Sequence, residues 1–295
     1  MPILLEKLTT TKPFLKWAGG KGQLLDEIEM RLPVDLVTGQ INTYVEPFVG
    51  GGAVFFYIAQ RYECIKEFYL FDANEDLINC YNAIKKNTHS VIKKLKALEK
   101  EYLAKDRTAR RDFYYHIRQQ FNLEKSPSQL IFLNKTCYNG LYRANRKGEF
   151  NVPFGDYTNP TICDVENLLA VSEVLRKAQI LCGDFEDSYK YIDKKTFVYF
   201  DPPYRPISRT ASFTSYSKDD FSEKDQIRLA KFCERVHRKG ARFLLSNSDP
   251  KNEDPTDRFF EDYYEGFSID TVRAVRPINC KASGRGEINE LLITI

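Results

Sequence analysis

Signatures of metal binding and of disulfide stapling are missing from this sequence. Its seven cysteines (64, 80, 137, 163, 182, 233 and 280) form no C-x-x-C pair, and its three histidines (89, 116 and 237) show no ligand-like spacing. A disulfide scaffold and a zinc module are thereby disfavoured, and no metal is expected. No run approaches the roughly 18 apolar residues of a membrane span. The N-terminus MPILLEKLTTTKPF has neither a long apolar core nor a small-residue cleavage site, so a cytoplasmic protein without a membrane partner is expected. The usual nucleotide loops are absent too. Trp17-Ala18-Gly19-Gly20-Lys21-Gly22-Gln23 fails G-x-x-x-x-G-K-[ST], and Glu46-Pro47-Phe48-Val49-Gly50-Gly51-Gly52 fails G-x-G-x-x-G. Nucleoside triphosphates and nicotinamide are therefore weak candidates.

What is present begins with enough core: 42% of 295 residues are hydrophobic, which suits one large α/β domain or two smaller ones and argues against disorder. Net charge is only +3, yet residues 85–150 hold 16 Lys and Arg against 6 Asp and Glu. Such a block on an otherwise mildly acidic body suits a polyanion, or else forms solvated Lys-rich helices. Seven of the 15 glycines fall within the first 52 residues, where the backbone must turn sharply or approach a ligand. INTYVEPFVGGGAVFFYIAQ reads as strand, glycine turn and helix, and KEFYLFDANEDLINCYNAI repeats the plan with a strand ending at Asp72. Two βα units in succession imply a parallel sheet with right-handed crossovers.

From Asn74 to about Leu133 the pattern is helical, and residues 138–157 read as a β-hairpin or extended loop pair turning at Arg146-Lys147-Gly148. Strands return at QILCGDF, TFVYFD, ARFLLSN, FSIDTVRAV and INELLITI, with a helix near 222–239. The expected organisation is a catalytic domain from 1–73 and 166–295, interrupted by a recognition block at 74–165.

Asp201-Pro202-Pro203-Tyr204 directly follows the apolar strand ending at Phe200, where open parallel sheets bind ligands. Two prolines continue neither a ladder nor a helix, so the chain is stiff there and its carbonyls stay outside regular pairing. A carboxylate, a free carbonyl and an aromatic ring in one small volume suit a planar heterocycle bearing an amino group. The glycine loop, lacking a phosphate cradle, suits a phosphate-free cofactor such as S-adenosylmethionine. Asp72 either accepts ribose hydroxyls or caps the helix that starts near Asn74.

With these motifs in this order, nearly the whole chain resembles the Dam-type DNA adenine methyltransferases, the α group of amino-methyltransferases. The resemblance is carried by Phe14 to Lys21, the loop Phe48 to Gly52, the segment Tyr138 to Arg143 with Gly148 to Gly155, and Asp201 to Tyr204. It implies a Rossmann-like methyltransferase fold, a mostly parallel sheet with helices on both faces, and an inserted, mainly helical DNA-recognition domain carrying a β-hairpin. The activity implied is methyl transfer from S-adenosylmethionine to adenine N6 in double-stranded DNA, with GATC as the expected site and the base turned out of the helix. Catalysis is implied for Asp201, Pro202 and Tyr204. Cofactor contacts are implied for Trp17, Ala18, Gly19, Lys21, Phe48, Gly50, Asp72, Asp184, Phe185 and Asp201. DNA contacts are implied for Lys16, Tyr138, Asn139, Leu141, Arg143 and Pro153. Arg146, Lys147, Arg273, Arg276, Lys281 and Arg285 are expected at phosphates. A GATC-cutting restriction endonuclease is an expected functional counterpart, and a monomer is the expected state, with a dimer as the alternative. Cys137 and Asp156 depart from the family pattern, which often has Gly and Arg there. Two other readings stay open: transfer to an RNA base or a protein glutamine, and an inactive DNA-binding regulator on the same fold.

Overall fold

The computed structural model describes residues 11–205, 221–275 and 287–295. A seven-stranded sheet organises them: β1 (Thr43–Glu46), β2 (Glu67–Asp72), β3 (Ala178–Cys182), β4 (Thr196–Phe200), β5 (Arg242–Ser248), β6 (Ser268–Val275) and β7 (Glu287–Thr294), in the order β3-β2-β1-β4-β5-β7-β6. The first five are parallel, and β7 runs antiparallel between β5 and β6.

Side chains of the central strands alternate between two buried clusters. Tyr44, Phe197, Tyr199 and Leu244 enter one, and Val45, Val198, Phe200, Phe243 and Leu245 the other. Both faces need cover, which explains why β4 reads as an unbroken apolar run. Helices α1 (Ala53–Arg61), α2 (Glu75–Leu103) and α5 (Val165–Leu175) cover the first face through Phe55, Phe56, Leu77, Tyr81, Ile84, Val171 and Leu175. Helix α6 (Glu223–Arg238) covers the second through Leu229, Phe232, Cys233 and Val236. Each such side chain stabilises by about 1.5–3 kcal/mol when fully buried. The result is a mostly parallel α/β fold with helices on both faces, as the residue pattern and the resemblance imply.

The connection from β2 to β3 is long. Helix α2 is broken at Asn87 (φ −139°, ψ 39°), where the Thr88 hydroxyl bonds back to the Ile84 carbonyl and also reaches Ser172 Oγ at 2.6 Å. Back-bonding of this kind bends helices. Beyond the break α2 packs on α4 (Pro127–Thr136), and α3 (Arg107–Glu124) lies between them in sequence, joined to the same buried cluster as the sheet. Residues 137–155 form an extended loop pair held by two isolated antiparallel bridges, Cys137 with Phe154 and Ala144 with Phe150. Its tip turns over Asn145–Gly148, where Asn145 Oδ1 accepts the N–H groups of Lys147 and Glu149. No described helix is long and apolar enough to cross a membrane.

Strand order reverses between the neighbours β1 and β4, because β1 leads outward to β2 and β4 leads the other way to β5. A crevice opens at such a switch point beyond the carboxyl ends of the strands. Glu46 ends β1, and Asp201 follows β4, at that crevice.

Candidate active site

Lys21 is the hinge of the site. Its side chain is 3% exposed, and a buried ammonium needs partners for all its donors. It finds them in Asp201 Oδ1 at 2.8 Å, the Tyr204 hydroxyl at 2.7 Å and the Gly19 carbonyl at 2.9 Å. The Tyr204 hydroxyl in turn donates to Glu290 Oε2 at 2.8 Å. Ser246 Oγ adds a second donor to Asp201 Oδ1 at 3.1 Å. Burial raises the Asp201 carboxyl above its ordinary range, against the pull of Lys21 and Ser246. Among the described residues, no hydrogen bond reaches Asp201 Oδ2 or the Pro202 carbonyl. The next carbonyl, of Pro203, is taken by Gln226 Nε2 at 2.8 Å. The corner thus keeps two oxygen acceptors in reserve beside a tyrosine whose hydroxyl is pinned between a cation and a carboxylate.

The glycine loop borders this corner. Gly50 (φ +46°) would bring a Cβ within 3.0 Å of Trp17, and Gly52 (φ +73°) one within 2.5 Å of the Tyr81 hydroxyl, so neither position tolerates a side chain. Asp72 braces the loop: Oδ2 accepts the Gly50 N–H at 3.0 Å and Oδ1 the Asn74 N–H at 2.9 Å. Asn74, not Asp72, caps α2. Phe48 packs on Phe185 with centroids 5.5 Å apart. Asp184 caps the turn that follows it and pairs with Arg228 at 2.8 Å. Ala18 and Gly19 are exposed next to Trp17.

The structure links this group to the loop pair. Trp17 stacks on Tyr142 at 5.1 Å, and the Tyr142 hydroxyl donates to Asp76 at the start of α2. Lys16 passes beside Gly140, where a Cβ would lie 2.3 Å from its side chain, and its backbone is gripped by the Asn134 side-chain amide. Tyr138 is 54% exposed. Asn139, in the left-handed region at φ +57°, donates its backbone N–H to the Tyr157 hydroxyl oxygen. Arg143, Arg146, Lys147 and Pro153 are exposed, whereas Leu141 is half-buried against the core. Asp156 forms an ion pair with Arg107, so its charge is matched locally. Arg273 is exposed on β6, and Arg276, Lys281 and Arg285 lie outside the described residues.

Several residues in these contacts escape a reading of the sequence: Glu290, Ser246, Gln226, Tyr142 and Asn134. One signal was available for Ser246. Strand β5 ends in Ser246-Asn247-Ser248, three polar residues at 0–2% exposure at the carboxyl end of a central strand, and buried polar groups of this kind have partners to satisfy.

The residues fit S-adenosylmethionine. That molecule carries a sulfonium and an ammonium against one carboxylate, and here Asp72, Asp201 and Glu290 outnumber Lys21. Asp72 uses one bond per oxygen, leaving lone pairs for ribose hydroxyls. Among the described residues there is no cluster of potential metal ligands.

Comparison with known proteins agrees with this chemistry. The family model described as "D12 class N6 adenine-specific DNA methyltransferase" matches residues 17–278. The type II methyltransferase M.MjaIII of Methanocaldococcus jannaschii is 53% identical over 290 residues, 96% of this chain and 98% of its own. M1.LlaDCHI, a type II methyltransferase of Lactococcus lactis subsp. cremoris, is 37% identical, covering 100% and 99%. The DNA adenine methylase of Serratia marcescens is 36% identical, covering 95% and 97%.

Proposed function

The chain belongs to the D12 class of N6 adenine-specific DNA methyltransferases, and on that premise we propose that it methylates the adenine of GATC after turning that base out of the duplex. The enzyme depends on S-adenosylmethionine, which supplies an electrophilic methyl group on its sulfonium. The observation that carries the proposal is the pair of acceptors at Asp201 Oδ2 and the Pro202 carbonyl.

Adenine N6 is a poor nucleophile because its lone pair is spread into the ring. Two N–H bonds, one to the Asp201 carboxylate and one to the Pro202 carbonyl, favour a tetrahedral nitrogen with its lone pair localised. Asp201 would also place negative charge where positive charge grows on N6 as that nitrogen takes the methyl group and the sulfonium leaves as a neutral thioether, and the surplus N6 proton would then be lost to solvent. Both acceptors are rigid, because Pro202 and Pro203 restrict the chain and Lys21 and Ser246 fix Asp201 Oδ1.

An adenine in a duplex cannot reach this corner, so it rotates out at a cost of a few kcal/mol. The Tyr204 ring, with its hydroxyl held by Lys21 and Glu290, offers a stacking face that offsets part of that cost. Exposed Tyr138 fills the gap and Asn139 meets the orphaned thymine. Block 74–165 is the recognition unit, with Leu141, Arg143 and Pro153 at the bases and Arg146 and Lys147 at phosphates, and Lys16 from the catalytic domain joins it at the bases. Trp17, Ala18, Gly19, Lys21, Phe48, Gly50, Asp72, Asp184 and Phe185 surround the cofactor. The likeness of the loop pair to that of GATC-methylating members supports the site. The naming of two relatives as type II methyltransferases supports pairing with a restriction endonuclease, and the site proposed here makes GATC the sequence that endonuclease would cut. We place the enzyme in the cytoplasm as a monomer.

Purified protein incubated with S-adenosylmethionine and plasmid should protect GATC from a nuclease that cuts only the unmethylated site. Sequencing that detects N6-methyladenine should place the mark there. Unimpaired cutting at high enzyme, with marks at another sequence, refutes the site.

A further inference from the structure

We propose that Asn151 sets sequence discrimination by orienting Arg143, gripping one edge of its guanidinium so that the end-on pair of N–H groups is the edge left for a guanine. Arg143 Nε donates to Asn151 Oδ1 at 2.7 Å, and Nη2 donates to the Asn151 carbonyl at 3.3 Å. Across the same loop pair the Asn151 N–H donates to the Arg143 carbonyl at 3.0 Å. A guanidinium has five N–H donors in a fixed fork. Asn151 takes the side-on edge, made of Nε–H and one Nη2–H. The remaining parallel pair, one N–H each from Nη1 and Nη2, matches the O6 and N7 acceptors on the major-groove edge of guanine.

Regular sheet structure cannot do this orienting, because the pairing here amounts to isolated bridges, with Ala144 and Phe150 the nearest to Arg143. Arg143 is exposed, and a free arginine side chain spreads over many rotamers. Bonding to Asn151 restricts that spread before DNA arrives, so less ordering remains to be done on binding. Asn151 is half-buried, with Val152 beside it in the core and its neighbour Phe150 anchored by Asn122 through both backbone groups. The platform under Arg143 is therefore fixed to α3. Asn151 acts through Arg143 and is a positioning residue.

The inference rests on Arg143 being the guanine reader, and the experiment separates the two. Methylation kcat/KM is measured on a GATC duplex and on duplexes with each guanine pair replaced, for wild type, Arg143→Ala, Asn151→Ala and Asn151→Asp, at several salt concentrations. A bidentate guanine contact is worth roughly 5- to 150-fold in discrimination. Asn151→Ala is expected to forfeit most of that factor at the one guanine where Arg143→Ala forfeits it, with binding to unrelated duplex and its salt dependence unchanged. Asn151→Asp, which keeps the acceptor for Nε, is expected to retain discrimination while binding all duplexes more weakly. If Arg143→Ala keeps full discrimination, the guanine reading itself fails. If Arg143→Ala relaxes it and Asn151→Ala does not, the positioning role fails. A loss in Asn151→Ala that is equal on all sequences makes Asn151 a backbone contact and also overturns the proposal. Should that variant unfold in thermal melts, Asn151→Ser, too short to reach Nε, faces the same outcomes.

Discussion

Replacing Asp201 by asparagine is nearly isosteric, and the hydrogen bonds of this corner make it a severe test. Lys21 and Ser246 both direct hydrogens at Asp201 Oδ1. An ammonium is a donor only, so in Asp201→Asn the amide oxygen must turn to Lys21. The amide NH2 then occupies the position of Oδ2 and confronts the adenine amino group donor to donor. The variant loses the charge and also the acceptor, where an unconstrained asparagine would lose the charge alone. Removing one preorganised group that stabilises developing charge costs about 2.7–4 kcal/mol, a factor of roughly 100 to 1,000 in rate. We expect Asp201→Asn to lie in or below that range in single-turnover methyl transfer at saturating S-adenosylmethionine and DNA. Duplex affinity, read by fluorescence anisotropy, should be largely kept. Lys21→Met in the same background removes the ammonium that fixes the amide, and it is compared with Lys21→Met alone because Lys21 is proposed to contact the cofactor. A single-turnover rate for Asp201→Asn within tenfold of wild type would show that the amide turns freely and that the constraint argued here is wrong.

Three further outcomes are expected. Glu46 is buried at the end of β1, accepts the Tyr44 hydroxyl at 2.7 Å, and is raised well above its ordinary value by that burial. The native state therefore holds a proton that the unfolded chain has released, and stability falls as pH climbs from about 4.3 through the folded value, by up to about 1.4 kcal/mol per pH unit. Glu46→Gln keeps an acceptor for Tyr44 and lacks this loss, so thermal melts should show it gaining on wild type as pH rises; a gap that narrows instead contradicts the burial argument. Gly52→Ala places a methyl 2.5 Å from the Tyr81 hydroxyl at φ +73°, and left-handed backbone alone costs a side chain about 1–2 kcal/mol. Because Tyr81 donates to the Gly50 carbonyl, calorimetry should find weaker S-adenosylmethionine binding, and unchanged affinity would detach this loop from the cofactor. Lys147→Ala should weaken binding to every duplex and lower the salt slope by about 1; an intact slope would remove Lys147 from the phosphates.

How much of this was readable from the residues depends on whether the cause is local. Strand β4 and its Asp-Pro-Pro-Tyr ending announce themselves because an apolar run stopped by two prolines has few other forms. The two early βα units follow from the same kind of pattern, and β2 ends at Asp72 as its sequence indicates. Whether residues 138–157 make a ladder was less readable. Asn139 and Asp156 have positive φ and Pro153 lacks an N–H, so pairing survives only as isolated bridges.

The order of the strands was not readable at all. No local pattern reveals that β7, the final strand, inserts between β5 and β6, since that choice is made by pairing between segments far apart in the chain. Yet that insertion brings Glu290 to Tyr204 across 86 positions. Lys21 reaches the same hydroxyl across 183. The motif at Asp201 is recognisable by its own chemistry, whereas part of its rigidity comes from Ser246 and Glu290, which no motif contains. Polar groups at the ends of adjoining strands are therefore where further positioning residues should be sought: Ser246 already holds Asp201, and Asn247 holds Gln226, which in turn holds the Pro203 carbonyl.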